Sequence, residues 1–415
     1  MKRILLILWT GYLCLAPVYW LPGISINLLY AFKFILIASA VSLSFIYLLT
    51  IGKLTFPRGI IGLGGFILII FVSMPALMQT DSALALKRIQ DYFLGYSTFF
   101  AAFALSAAKI SFNKPLFFSA LFISVLCSLV TASAALGVPS FTSPSAFGSV
   151  DLAISGFSGL RTGWSIGTGL YLSALFFIIP PNRNFRWVLT ILVVLCFFQI
   201  VGSQVAVGGR SGLVMSLAII SVYFWKYMPK SILLIIGLVF FLFVSTHIDY
   251  LAEHLRFDRI SSSSNQTDAL NHFSAGRIGT YIFAFEKFFE SPLTGHGFGN
   301  VQIHGIDIHN LWLRMLAEGG LFLPLLFLLF IYKALKSSRF SVQKNDIAGR
   351  QLEYDRFILQ LIIWSGILAS LFEPNTLLGT FQNSCIWWVS LGCLLGPKMI
   401  YQTEKNKQED AFINK

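Results

Sequence analysis

Hydrophobic residues fall along this chain in long unbroken runs, not at the three-to-four spacing of a soluble amphipathic fold. Runs at 4–21, 28–50, 59–78, 92–108, 115–136, 164–181, 187–202, 211–228, 231–248, 311–332, 357–373 and 382–396 each approach the roughly 20 residues that a helix needs to cross a bilayer. They predict an all-α polytopic membrane protein of about twelve transmembrane helices with both termini on one side. The first run follows Met1-Lys2-Arg3 as in a signal peptide. It has no small-x-small site in a polar tail and another run follows at once, so it reads as an uncleaved first helix. On this map 1–248 holds nine spans, 249–310 is the one long polar loop, 311–397 holds three more spans, and 398–415 is a basic tail.

Composition and charge agree with that map. Of 415 residues, 56% are hydrophobic and 12% charged, against about 25% charged in soluble domains, which excludes an ordinary cytosolic enzyme. The net charge of +12 does not point to nucleic acid, because positive-inside bias accounts for it. With the N-terminus inside, about two thirds of the 30 Lys and Arg fall in inward loops. The outer and span positions keep Lys33, Lys87, Arg88, Arg161, Arg210, Arg256, Arg259, Arg277, Lys287 and Arg314. Lys33 sits within a span, close enough to an end to snorkel. The five cysteines sit in apolar runs, read as small buried hydrophobes, and form no metal-ligand spacing.

The outward cations are mostly arginine, whereas the inward ones are mostly lysine. A guanidinium grips phosphate with a planar fork and keeps its charge beside hydrocarbon, so an outer arginine group points to a phosphorylated or carboxylated ligand. Arg210 stands in Gly208-Gly209-Arg210-Ser211-Gly212 at the outer head of a span. There the glycines would let a ligand approach the backbone, and the helix N-terminus favours an anion. Arg277 opens an amphipathic helix from Gly276 to about Glu290, where a purely structural helix would prefer an acid. His309 enters the 311–332 span from outside, as a group that titrates near neutrality and accepts a proton from a hydroxyl. Glu373 ends another span at the same edge, placed to orient His309 or an arginine.

Arg161, Arg256, Arg259, His296, Asn310 and Arg314 complete the candidate substrate-binding set, and the aromatics Trp164, Tyr281, Phe285 and Trp312 are candidates to stack on sugars. The crowding of His272, His296, His304 and His309 matches no zinc spacing, so neither metal nor cofactor is expected. Gly163-Trp164-Ser165-Ile166-Gly167 fits the G-x-S-x-G pattern of hydrolases, but at the head of a span it reads as coincidence.

Gly209-Arg210-Ser211-Gly212-Leu213, Gly276-Arg277, Gly295-His296-Gly297-Phe298-Gly299 and His309-Asn310 through Glu318-Gly319, in that order around one loop, resemble the O-antigen ligase and O-antigen polymerase superfamily of bacterial inner-membrane glycan transferases. The likeness covers roughly 200–375. It implies a GT-C-like fold and metal-independent transfer of a glycan at the periplasmic face. The donor would be an undecaprenyl-pyrophosphate-linked oligosaccharide, and the acceptor a growing glycan or lipid A–core. Arg210 and Arg277 match arginines that hold the pyrophosphate, His309 matches the histidine that activates the acceptor hydroxyl, and Glu373 falls where related proteins carry an acid. The remaining partners implied are membrane lipids and a chain-length regulator protein. The loop is shorter than in many ligases, which favours polymerase, with ligase the alternative. A secondary transporter or flippase is the reading from another class; it would predict broken helices in pairs and charges at mid-membrane.

Overall fold

The computed structural model describes residues 1–53, 62, 64–66, 68–69, 82–136, 156–158, 161–179, 186–227, 237–238, 242, 245–246, 277–297, 308–338, 347–374, 376–378, 381 and 383–396. Among these residues the regular structure is helical, apart from one isolated bridge between Leu21 and Ile24. In chain order the helices are α1 (Lys2–Leu15), α2 (Ile26–Thr50), α3 (Ser82–Ala107), α4 (Asn113–Leu136), α5 (Arg161–Leu172), α6 (Arg186–Ala206), α7 (Arg210–Tyr227), α8 (Arg277–Glu290), α9 (Leu311–Gly319), α10 (Phe322–Ser337), α11 (Ile347–Ser370) and α12 (Asn383–Gly396). Short 3-10 turns at Gly156–Ser158 and Ser173–Ile178 flank α5.

Among the described residues three helical stretches are long and apolar enough to cross a membrane: Ile26–Thr50, Asn113–Leu136 and Val188–Ala206. The 187–202 run, one of the shortest read from the sequence, thus belongs to a helix of ample length. The 59–78 and 231–248 runs fall largely outside the described residues.

Among the described residues two apolar runs are interrupted by non-helical chain, each for a local reason. The 4–21 run stops being helical at Leu15, because Pro17 has no amide hydrogen with which to continue the helical ladder. The carbonyls freed there are taken by Lys33 of α2, whose Nζ donates to Ala16 O at 3.2 Å and Val18 O at 2.7 Å. Lys33 therefore does not snorkel; it is buried against the broken end of α1, over the rings of Tyr19 and Tyr30. The 311–332 run divides at Gly319-Gly320, where Gly320 takes φ of 62° and turns the chain from α9 into α10.

The core forms around α12, whose residues are all buried, as expected of a helix apolar on every side. Trp387 Nε1 donates to Ile363 O of α11 at 3.1 Å, and Ser106 of α3 donates to Cys393 O. Between membrane helices the hydrophobic effect adds little, so small residues and close packing hold the contact. The α5–α7 interface shows this. Ser165 of α5 donates to Gly209 O at 2.7 Å, and a Cβ on Gly212 would collide with the Ser165 hydroxyl and carbonyl. Gln204 ties the same place together, donating to Ser165 O at 3.0 Å and Ser216 Oγ at 2.9 Å.

Gly212→Ala is accordingly expected to cost about 1–3 kcal/mol of stability, the usual range for overpacking. Gly11→Ala, whose added methyl meets no atom within 4 Å, is expected to be neutral or to stabilise by up to about 1 kcal/mol. Thermal unfolding of the two purified variants in detergent distinguishes them, and equal melting temperatures would contradict the packing described for α5 and α7.

Candidate functional site

The site forms where the chain entering α9 docks on the end of α11. Asn310 has extended geometry (φ −151°, ψ 120°), and its side-chain oxygen caps α9 by accepting from Trp312 N at 2.9 Å and Leu313 N at 3.1 Å. Its Nδ2 donates to Leu371 O at 3.0 Å. Beside it Trp312 Nε1 donates to Ser370 Oγ at 2.9 Å. These bonds fix His309 against the residues that follow α11, and His309 Nδ1 comes to 3.9 Å from Glu373 Oε2. That separation is beyond a hydrogen bond; catalytic contacts are often long without substrate and tighten when it binds.

The histidine ring has two different edges. Nδ1 is buried and makes no hydrogen bond, while the side chain as a whole is 34% exposed. The Nε2 edge is therefore the open one. Glu373 is itself buried, so its Oε2 faces the histidine in a low-dielectric surrounding, where charge interactions act strongly.

Helix α8 closes the other side of the site by packing on α9. Its Tyr281 hydroxyl donates to His309 O at 3.4 Å. Burial pushes that hydroxyl's pKa above its ordinary value, Arg277 pulls it down and Glu373 pushes it up again. The phenol thus remains a donor at neutral pH, and Arg277 lies one turn before it on α8. The structure so brings together Arg277, Tyr281, His309, Asn310 and Glu373.

Arg210 heads α7 and is half-buried. Tyr223 OH lies 2.9 Å from Tyr354 OH, and Tyr227 packs on Phe357, near the end of α7 and the start of α11. At 1.5 Å per residue, Arg210 is roughly 20 Å back from Tyr223, and Ser370 is roughly 24 Å onward from Tyr354. Arg210 and the His309–Glu373 pair therefore share one end of the bundle. The glycines around Arg210 have a different role from the one expected of them: Gly209 and Gly212 admit Ser165, not a ligand. Ser165 of the G-x-S-x-G stretch is a buried packing residue.

The remaining candidates scatter. Arg314 is 2% exposed and Glu318 0% exposed, and Arg314 Nε donates to Glu318 Oε1 at 3.0 Å, so this arginine is engaged inside the protein. His296 anchors the turn after α8: its Nε2 is 2.8 Å from Lys287 O and its backbone amide donates to Ala317 O. The turn lies flat on the α9–α10 break, with a Cβ on Gly295 colliding with the Glu318 carbonyl and one on Gly320 with that of Leu293. Arg161 opens α5, and its side chain lies outside the described residues, as do Arg256, Arg259, His272 and His304 entirely. Among the aromatics proposed to stack on sugars, Trp164 is fully buried and donates to Ser203 Oγ, which removes it from that role. Among the described residues no three His, Cys, Asp or Glu side chains gather as metal ligands.

Sequence reasoning assigned no positioning role to Tyr281 and did not weigh Glu318. Tyr281 carried a usable signal, lying one turn after Arg277 on the same helix face; Glu318 carried one too, at i+4 from Arg314. The chain matches no protein-family model and no curated protein.

Removing one partner of a buried ion pair leaves a buried charge. Glu318→Leu alone is expected to destabilise by about 3–5 kcal/mol, and adding Arg314→Met to recover most of that loss. A double-mutant cycle on melting temperature measures this, and no recovery in the double variant would mean that the pair is not the coupled unit described.

Proposed function

We propose that the chain transfers a glycan from an undecaprenyl-pyrophosphate-linked donor to a sugar hydroxyl during O-antigen or exopolysaccharide assembly. The reading places it in the bacterial inner membrane as a GT-C-like protein of about twelve spans, with the His309–Glu373 end facing the periplasm. Polymerase is favoured over ligase. One observation carries the reading: a histidine with one buried nitrogen facing a buried carboxylate, Arg277 in the same cluster, at the end of the bundle where Arg210 heads α7.

The residues supply the parts that the reaction needs. The acceptor oxygen forms a bond to the anomeric carbon, its proton passes to Nε2 of His309, and the bond from that carbon to the phosphate oxygen breaks. The electron pair leaves with the lipid pyrophosphate. Glu373 orients the ring through Nδ1 and offsets the imidazolium charge that builds up as the proton arrives. Arg210 and Arg277 face charge that grows on the leaving group, so they favour the transition state over the ground state. No metal enters this scheme, because guanidinium groups can carry the charge of a pyrophosphate.

The break between α9 and α10 at Gly319-Gly320 favours a second reading, a secondary transporter, since transporters often bind substrate at interrupted helices. The charged group nearest that break is the Arg314–Glu318 pair, which would then be the coupling site.

Arg210→Ala and Arg277→Ala are each expected to lower glycan transfer by about 100-fold or more, the usual effect of losing a donor to developing charge, while the protein still inserts. His309→Ala is expected to stop turnover and leave donor binding intact. Normal activity in both arginine variants removes the pyrophosphate role; unchanged turnover without the imidazole removes the base. Transfer by the purified protein in excess EDTA is expected to continue undiminished, and a loss restored by zinc would overturn the metal-free scheme.

A further inference from the structure

Helix α8 divides lengthwise into three sectors. Arg277, Tyr281, Ala284 and Phe288, spaced at i, i+4, i+7 and i+11, form the side turned to the protein, where Ala284 is buried against Ile308 and Ala317. Ile278, Ile282, Phe285 and Phe289 form a second, apolar stripe. Three of its members are strongly exposed: Ile282 at 56%, Phe285 at 45% and Phe289 at 73%. Gly279, Glu286 and Glu290 form the third sector, exposed and polar, directly beside the stripe.

The apolar stripe does not end with the helix. Leu293 follows it, 59% exposed, and its carbonyl lies against Gly320. Leu321 N donates to Pro292 O at 2.9 Å, which joins the stripe to the exposed side chains Leu321, Phe322, Leu325, Leu329 and Tyr332 along α10. The result is one apolar surface that runs along α10 and bends onto α8, with carboxylates only along one border.

We infer that α8 is an interfacial helix, whose Ile278–Ile282–Phe285–Phe289 stripe is sunk into the lipid leaflet beneath the His309–Glu373 end while Glu286 and Glu290 face water. A protein partner over the stripe would have to bury the adjoining carboxylates, whereas a leaflet surface leaves them in water at the boundary between acyl chains and headgroups. The continuity with α10 argues for the same lipid covering both. One consequence is chemical. Arg277 and Tyr281, on the neighbouring sector, are held at headgroup depth, where the phosphate of a membrane-anchored substrate travels. The inference rests on the membrane reading of the bundle, and the test separates the two.

Nitroxide labels placed singly by Phe289→Cys, Ile282→Cys, Glu286→Cys and Val125→Cys in the full chain, in nanodiscs of phosphatidylethanolamine and phosphatidylglycerol, report their surroundings. Of the native cysteines, Cys127, Cys196, Cys385 and Cys393 are buried and Cys14 partly so; the unmodified chain supplies the blank. Val125 is 54% exposed on α4 and reports on the membrane reading alone. Labels at 125, 282 and 289 are expected to be relaxed more by oxygen than by a water-soluble nickel chelate, and the label at 286 the reverse. Nickel-dominated relaxation at 282 and 289 with oxygen-dominated relaxation at 125 overturns the inference and leaves the membrane reading standing. Nickel-dominated relaxation at 125 overturns that reading itself. Labels at 282 and 289 shielded from both reagents would replace the leaflet by a protein partner or a second copy.

Discussion

Asn310 is the joint on which the site depends. One carboxamide caps the start of α9 with its oxygen and holds the chain after α11 with its nitrogen, so a single residue sets both where a helix begins and what it faces. That double attachment helps fix the His309 backbone relative to Glu373, although the two residues come from segments far apart in sequence. Trp312 to Ser370 and Tyr281 to His309 brace the same joint from either side. The proposed proton transfer needs the two side chains held within a fraction of an ångström and locked by the residues behind them. Here the bracing groups are neutral amide, indole and phenol donors, which do not compete with the charges of the pair.

The surroundings of the pair follow from the medium. In a helix bundle whose outer surface is apolar, ionisable groups are costly unless they are paired, capped or functional. Lys33 is used to close the end of α1, and Arg314 with Glu318 forms an internal pair. Lys287 is tied to Glu290 at the surface. The geometry at Arg277, His309 and Glu373 differs: a buried ring nitrogen stands short of hydrogen-bond distance from a carboxylate while the opposite edge of the ring is open. That arrangement is poor as a structural brace and suited to a ring that must accept a proton. The flanking α8 adds the proposed link to the lipid phase in which a polyprenyl donor would arrive.

Much of the helical layout was legible in the sequence, because apolar length alone marks α2, α4, α6 and α7 to within a few residues. Where the reading failed, a short-range signal had been overridden by a long one. Pro17 ends α1 inside a continuous apolar run, and Gly319-Gly320 divides another, yet window hydropathy registers neither. The site was partly legible for a different reason. His309, Arg277 and Glu373 each sit at a helix boundary, where an ionisable residue stands out against apolar neighbours. Their mutual arrangement was not readable, since it depends on the Asn310 contact between separate segments. The glycines around Arg210 show the reverse error: small residues near a cation suggested room for a ligand, whereas the room is filled by Ser165 of the neighbouring helix.

The central claim is that this joint transfers a lipid-linked glycan, and the lipopolysaccharide gel pattern of a strain lacking the gene tests it most directly. The account predicts a collapsed ladder, with core carrying a single repeat if the chain is a polymerase, or bare core with polymer retained on the lipid carrier if it is a ligase. An unchanged ladder, together with unaltered exopolysaccharide, would contradict it.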